Sequence, residues 1–182
     1  MNRLQIAALL TRLVDRLRSH GSWCSETHIQ KSTYVAQELG GVPLGFNFIL
    51  YKHGPFSFDL RDEVTSLRAD GLLLMEPQAF PYGPKFKATE TAHQLQQRYP
   101  KTLNTHGAAL EFVAQNLADK PVAELERLAT ALFAKANLPD EVNHKRAQWI
   151  NAQKPHIATD EAVAALEEVE SLEGVFQKSQ AI

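Results

Sequence analysis

Between Phe46 and Ala92 the hydrophobic period of the chain changes twice, and that limits what the rest can fold into. Phe46, Phe48 and Leu50 alternate with a strand's period of two, whereas Leu60, Val64 and Leu67 recur at helical spacing. The switch falls at Gly54-Pro55, so the sequence predicts a strand from Phe46 to Tyr51, a sharp turn through Lys52, His53, Gly54 and Pro55, and a helix that starts only after the proline. Ser57 stands at its N-cap, and Asp59, Asp62 and Glu63 crowd its first turns, where the helix dipole favours acids. Gly71 stops this helix. A strand is expected from Leu72 to Met75, a wing loop from Pro77 to Pro84, a return strand through Lys85 to Lys87, and a helix capped by Thr89 that runs through Leu95 to about Tyr99.

The flanks are helical. Leu4, Ile6, Leu10, Leu13, Val14 and Leu17 are interleaved with charges at amphipathic spacing over residues 2–19, and Gly21 can end that helix. A second helix is expected from an N-cap at Ser25, whose oxygen would accept from free amides of the next turn, to Gly40-Gly41, with Ile29, Ser32, Ala36 and Leu39 as a narrow inner stripe. Beyond Pro100 only helical patterns occur: His106 to Leu117, Pro121 to Ala136, Asp140 to Gln153 and Asp160 to Leu172. The expected fold is therefore α+β and mainly α. A winged-helix-like N-terminal part with a short β-hairpin wing (residues 1–100) is followed by an all-helical C-terminal part packed on it (residues 101–182), together one compact unit.

Net charge gives no support to a dedicated nucleic-acid binder. The 182 residues carry 19 basic and 21 acidic side chains, a net charge of -2, whereas such binders show a basic excess or a basic face. Glu167, Glu168, Glu170 and Glu173 read as the solvated face of a helix that keeps Val163, Leu166, Val169 and Leu172 for packing. No apolar run reaches the length of a membrane span, and the first twenty residues carry charges throughout, so a cytoplasmic protein is expected. Cys24 is the only cysteine, which excludes an internal disulfide and a multi-cysteine zinc site; it reads as a small packing residue rather than a nucleophile. No phosphate-binding glycine loop and no HExxH is present, so no cofactor, metal or catalytic residue is expected. His144, Lys145 and Arg146 with His156 can be weighed as an anion site against ordinary helix surface, and Trp149 reads as packing.

HIQKSTYVAQELGG, FILYKHGPFSFDLRDEVTSLRADGLL, LERLATALF and KPHIATDEAVAAL, in that order, resemble the YwgA-like family of uncharacterised bacterial and archaeal proteins over most of the chain. More distantly, the "QK…Y…Q" helix and the "YxxGPxSxxL" segment are similar to SocA-like (Panacea) antitoxin domains and to the carboxy-terminal domain of a macrodomain antitoxin that opposes a DNA ADP-ribosylating toxin. The resemblance implies a non-enzymatic regulatory or antitoxin role in toxin-antitoxin or phage-defence loci. Ser32-Thr33 stands where those relatives tend to carry bulky apolar residues, so that helix is expected to pack differently.

Two functional classes follow. In one, Lys52, His53, Phe56, Phe58, Asp59, Asp62 and Glu63 form a surface for a protein partner, a toxin or effector with a basic groove. In the other, the helix after Gly-Pro reads DNA, with Arg61, Arg68, Tyr82, Lys85 and Lys87 as contacts. The acids near the start of that helix would repel phosphate, which favours the protein partner. Oligomeric state is not legible in the sequence.

Overall fold

The computed structural model describes residues 1–79 and 83–180. It is an α+β chain, mainly helical, with eight helices and two separate two-stranded antiparallel hairpins among the described residues. Two compact units are present: one holds residues 1–48 and 57–120, the other residues 49–56 and 121–182. The boundary in the second half of the chain thus falls after Lys120, and the segment around Gly54-Pro55 belongs with the C-terminal helices. No helix among the described residues is long and apolar enough to cross a membrane.

In the first unit, α1 (Arg3–Ser19) packs against α2 (Glu26–Glu38), α4 (Glu90–Arg98) and α5 (Pro100–Leu117). These three helices and the strand Lys85–Ala88, which also packs on it, explain its broad buried face, from Leu9 through Leu13 and Val14 to Leu17. Asn2 starts α1 with a capping box shared with Gln5. In α2 every residue from His28 to Ala36 is buried, so the narrow inner stripe expected there gives way to burial all round, Ser32 and Thr33 included. Ser25 sits at the N-cap of α2 without capping it; its hydroxyl lies 2.9 Å from Nδ1 of His28 instead. The other two caps form as expected. Ser57 Oγ accepts from the Leu60 amide to start α3 (Phe58–Ala69), and Thr89 Oγ1 accepts from the Ala92 amide to start α4. Leu60, Val64 and Leu67 are the buried side of α3, and Gly71, at φ 69°, follows its end. The hairpin after it pairs β3 (Leu73–Glu76) with β4 (Lys85–Ala88), from Leu73 opposite Ala88 to Glu76 opposite Lys85.

The expected strand at Phe46–Tyr51 is shorter. Only β1 (Ile49–Tyr51) pairs, with β2 (Gly54–Phe56), through a two-residue turn at Lys52-His53. Gly54-Pro55 is therefore the returning strand and not the turn itself. Val42, Leu44, Phe46 and Phe48 keep the alternating pattern upstream, but the backbone of Phe46 bonds the side-chain amide of Gln37 (3.0 Å in both directions), so no strand pairs it.

The second unit completes this hairpin with α6 (Val122–Asn137), α7 (Asn143–Gln153) and α8 (Thr159–Gln180), whose core is Leu125, Leu128, Ile150 and Leu166. Three helix limits depart from the sequence expectation for local reasons. Helix α5 begins at Pro100, since a proline at the first helical position gives up no hydrogen bond. Helix α7 begins late, because residues 138–141 form a turn in which the Glu141 amide donates to the Leu138 carbonyl at 3.3 Å, and Arg146 donates to the Leu138 and Pro139 carbonyls at 3.0 and 2.7 Å. Helix α8 runs past Leu172 because Gly174 does not take the left-handed conformation that would end it.

Candidate functional site

In the first unit the outward side of α3 carries Phe58, 41% exposed, with Asp59 and Asp62, both exposed. Arg61 lies over the Phe58 ring, 5.1 Å from its centroid, and only 3.9 Å separates it from Asp62. Glu63 differs from the other two acids. It is half-buried, its Oε2 takes the Arg3 guanidinium at 3.1 Å, and its Oε1 is buried with no hydrogen-bond partner among the described residues. The acidic surface expected on α3 is thus Asp59 and Asp62, with Glu63 tied to α1.

A side-chain amide holds the start of this helix. Gln30 of α2, buried, accepts from the Ser57 amide and donates to the Ser57 carbonyl, both at 2.9 Å. Gln37, two turns further along α2, grips Phe46 in the same way. A primary amide presents a donor and an acceptor side by side, as a neighbouring strand does, so the two glutamines stand in for strand pairing at either end of the 46–57 segment. Tyr34 lies between them in sequence and packs on Phe48, with 4.9 Å between ring centroids. The "QK…Y…Q" pattern is this clamp.

The cations considered for DNA contact are dispersed. Arg68 is exposed in the last turn of α3. Lys85 lies 3.6 Å from the centroid of the Trp23 ring, whose Nε1 donates to the Gly83 carbonyl at 3.3 Å. Lys87 is exposed on β4, opposite Leu74, and Tyr82 lies outside the described residues.

In the second unit Lys52 and His53 project from the hairpin turn, and Phe56, half-buried, meets Tyr51 with 5.7 Å between centroids. The turn is locked from behind. Lys154 Nζ, in a side chain buried at the end of α7, donates to the carbonyls of Tyr51 and Lys52, and burial pulls the Lys154 pKa down. Glu126 of α6, its side chain 8% exposed, takes His156 Nε2 at 3.0 Å and lies 3.6 Å from His53 Nδ1. Gly54 comes so close to α6 that a Cβ there would stand 2.8 Å from Thr130 Oγ1 and 3.3 Å from the Glu126 carbonyl, and its φ is 81°. Only glycine fits both conditions.

The four residues weighed as an anion site do not gather into one. Arg146 is buried on the carbonyls after α6, Lys145 pairs with Glu141 at 3.1 Å, His144 meets Gln148, and His156 turns to Glu126. Cys24 is fully buried, and desolvation pushes its thiol up to about 12, far from thiolate chemistry at neutral pH. In the acidic α8, Glu173 pairs with Lys135 and Glu170 accepts from Asn143 at 3.0 Å. Among the described residues no three His, Cys, Asp or Glu side chains are arranged to hold a metal ion.

Sequence reading missed Glu126, Lys154 and the role of Gln30. The glutamines left a signal, two amides seven residues apart on one helix; Lys154 left none, lying 102 residues from Lys52. Compared with known proteins, the chain matches no family model and no curated sequence.

Proposed function

We propose that the protein is a non-enzymatic cytoplasmic regulator of the antitoxin type, and that it docks a basic protein partner through the exposed side of α3. One observation carries this reading. The amino-terminal half of α3 presents an aromatic ring and two carboxylates, Phe58, Asp59 and Asp62, while the cation among them, Arg61, is drawn over the ring. Exposed aromatics at a polar surface are typical anchors of protein interfaces, and acids beside one speed encounter with a basic partner. Lys52, His53 and Phe56, on the second unit's own hairpin turn whose backbone Lys154 holds, are proposed as partner-binding residues in their own right. The resemblance to antitoxin domains agrees with such a role, in a toxin-antitoxin or phage-defence locus.

A second reading, a winged-helix DNA-binding regulator, draws support from the element order: α1, α2 and α3 precede the β3–β4 hairpin, with α3 in the place of a recognition helix. Its weakness is electrostatic. Asp59 and Asp62 would face phosphate, and Lys85 is engaged by Trp23.

Capture from the native host with wild type and with a Phe58→Ala, Asp59→Asn, Asp62→Asn variant, beside a gel shift on the gene's own promoter, separates the two. The proposal expects partners lost by the variant and no specific shift. Equal capture by both forms together with a specific shift at physiological salt would leave the DNA reader standing.

A further inference from the structure

Along α1, beside α4 and the first turns of α5, lies an open groove in two adjoining parts of about 410 and 510 Å³, which share Arg12, Leu103 and Asn104. Those volumes lie in the range of small-molecule sites. Both acids of its walls already have partners. Asp15 takes His93 at 3.2 Å and the Gln96 amide at 3.0 Å; Glu111 takes His20 at 2.7 Å and Arg16 at 3.1 Å. The hydrogen bond from His20 holds the Glu111 pKa down. Arg12 is left over. Half-buried and common to both parts of the groove, it has no ion-pair or hydrogen-bond partner among the described residues. The groove stays open where α5 carries Gly107, since a Cβ there would meet nothing within 4 Å.

We infer that this groove binds a small molecule bearing an oxyanion, a phosphate or a carboxylate. Arg12 supplies the planar fork of donors that matches either group, with Asn104 and Gln97 as neutral donors from α5 and α4. The remainder of the ligand lies over Leu103 toward the gap at Gly107. This site is built entirely within the first unit and does not depend on what docks at α3.

The test is an NMR titration of the labelled full chain with inorganic phosphate and, separately, acetate, against sodium chloride at matched ionic strength. Saturable shifts at the Arg12 side chain and the Asn104 amide group are expected with at least one of the two anions, and the stronger of them identifies the ligand's charged group. Arg12→Gln should weaken binding by about tenfold or more, the effect of one charge-assisted pair. Circular dichroism should show the variant folded as wild type, since Arg12 makes no ion pair or hydrogen bond among the described residues. Shifts equal to those of chloride, or unchanged binding by Arg12→Gln, would overturn the inference.

Discussion

Replacing Gln30 by methionine keeps the length and nearly the volume of the side chain and removes both of its hydrogen bonds to Ser57. Ser57 has no exposed surface, so its amide then has no partner, at a cost of about 1–3 kcal/mol. Its carbonyl is less affected, because it also accepts from the Arg61 amide at 3.2 Å; losing one of two bonds there costs about 1 kcal/mol. The expected loss is about 2–4 kcal/mol, a large fraction of a typical domain stability of about 5–15 kcal/mol. With a urea slope near 2 kcal/mol per molar, the midpoint should fall by about 1–2 M. Trp23 lies in the first unit and Trp149 in the second, so a Trp149→Phe background lets fluorescence report the first unit alone. Gln37→Met is the control: Phe46 is half-buried, water can replace the lost partner, and less than about 1 kcal/mol is expected. A midpoint shift for Gln30→Met no larger than that for Gln37→Met would refute the view that a buried amide clamp seats α3.

Gly54→Ala should destabilise the second unit by about 2 kcal/mol or more, measured by thermal melting, because the new methyl meets Thr130 and the backbone stays left-handed. Lys154→Met should leave two turn carbonyls without their donor and accelerate hydrogen exchange across residues 49–56. His28 is buried and its pKa is lowered by that burial, so the unfolded chain takes up the proton first; stability should be full above the ordinary imidazole value of 6.5 and fall as pH drops below it, a slope that His28→Gln should flatten. Cys24 should react with a thiol reagent only as fast as the first unit unfolds, its thiol being buried and raised to about 12.

Much of the fold was legible because periodicity and caps are local. Leu60, Val64 and Leu67 marked α3 and its buried side, and Ser57, Thr89 and Gly71 marked the limits of helices. The strand at Phe46 was over-read because alternation records which side chains face inward, not what the backbone bonds, and Gln37 bonds it here. The acidic surface was legible at Asp59 and Asp62 but not at Glu63, since nothing near Glu63 in sequence announces Arg3. Likewise the lock on the Lys52-His53 turn needs Lys154, and no local pattern connects positions a hundred residues apart.

Under the proposed function the exposed acids of α3, Asp59 and Asp62, steer a basic protein partner. The most direct measurement is the association rate of the captured partner with wild type and with an Asp59→Asn, Asp62→Asn variant, followed by stopped flow across a salt series. Charges at the edge of an interface act mainly on encounter, so the variant should associate more slowly at low salt, with a difference that closes as salt rises and little change in dissociation. Equal association rates at low salt, or tighter binding of the variant to promoter DNA, would contradict it.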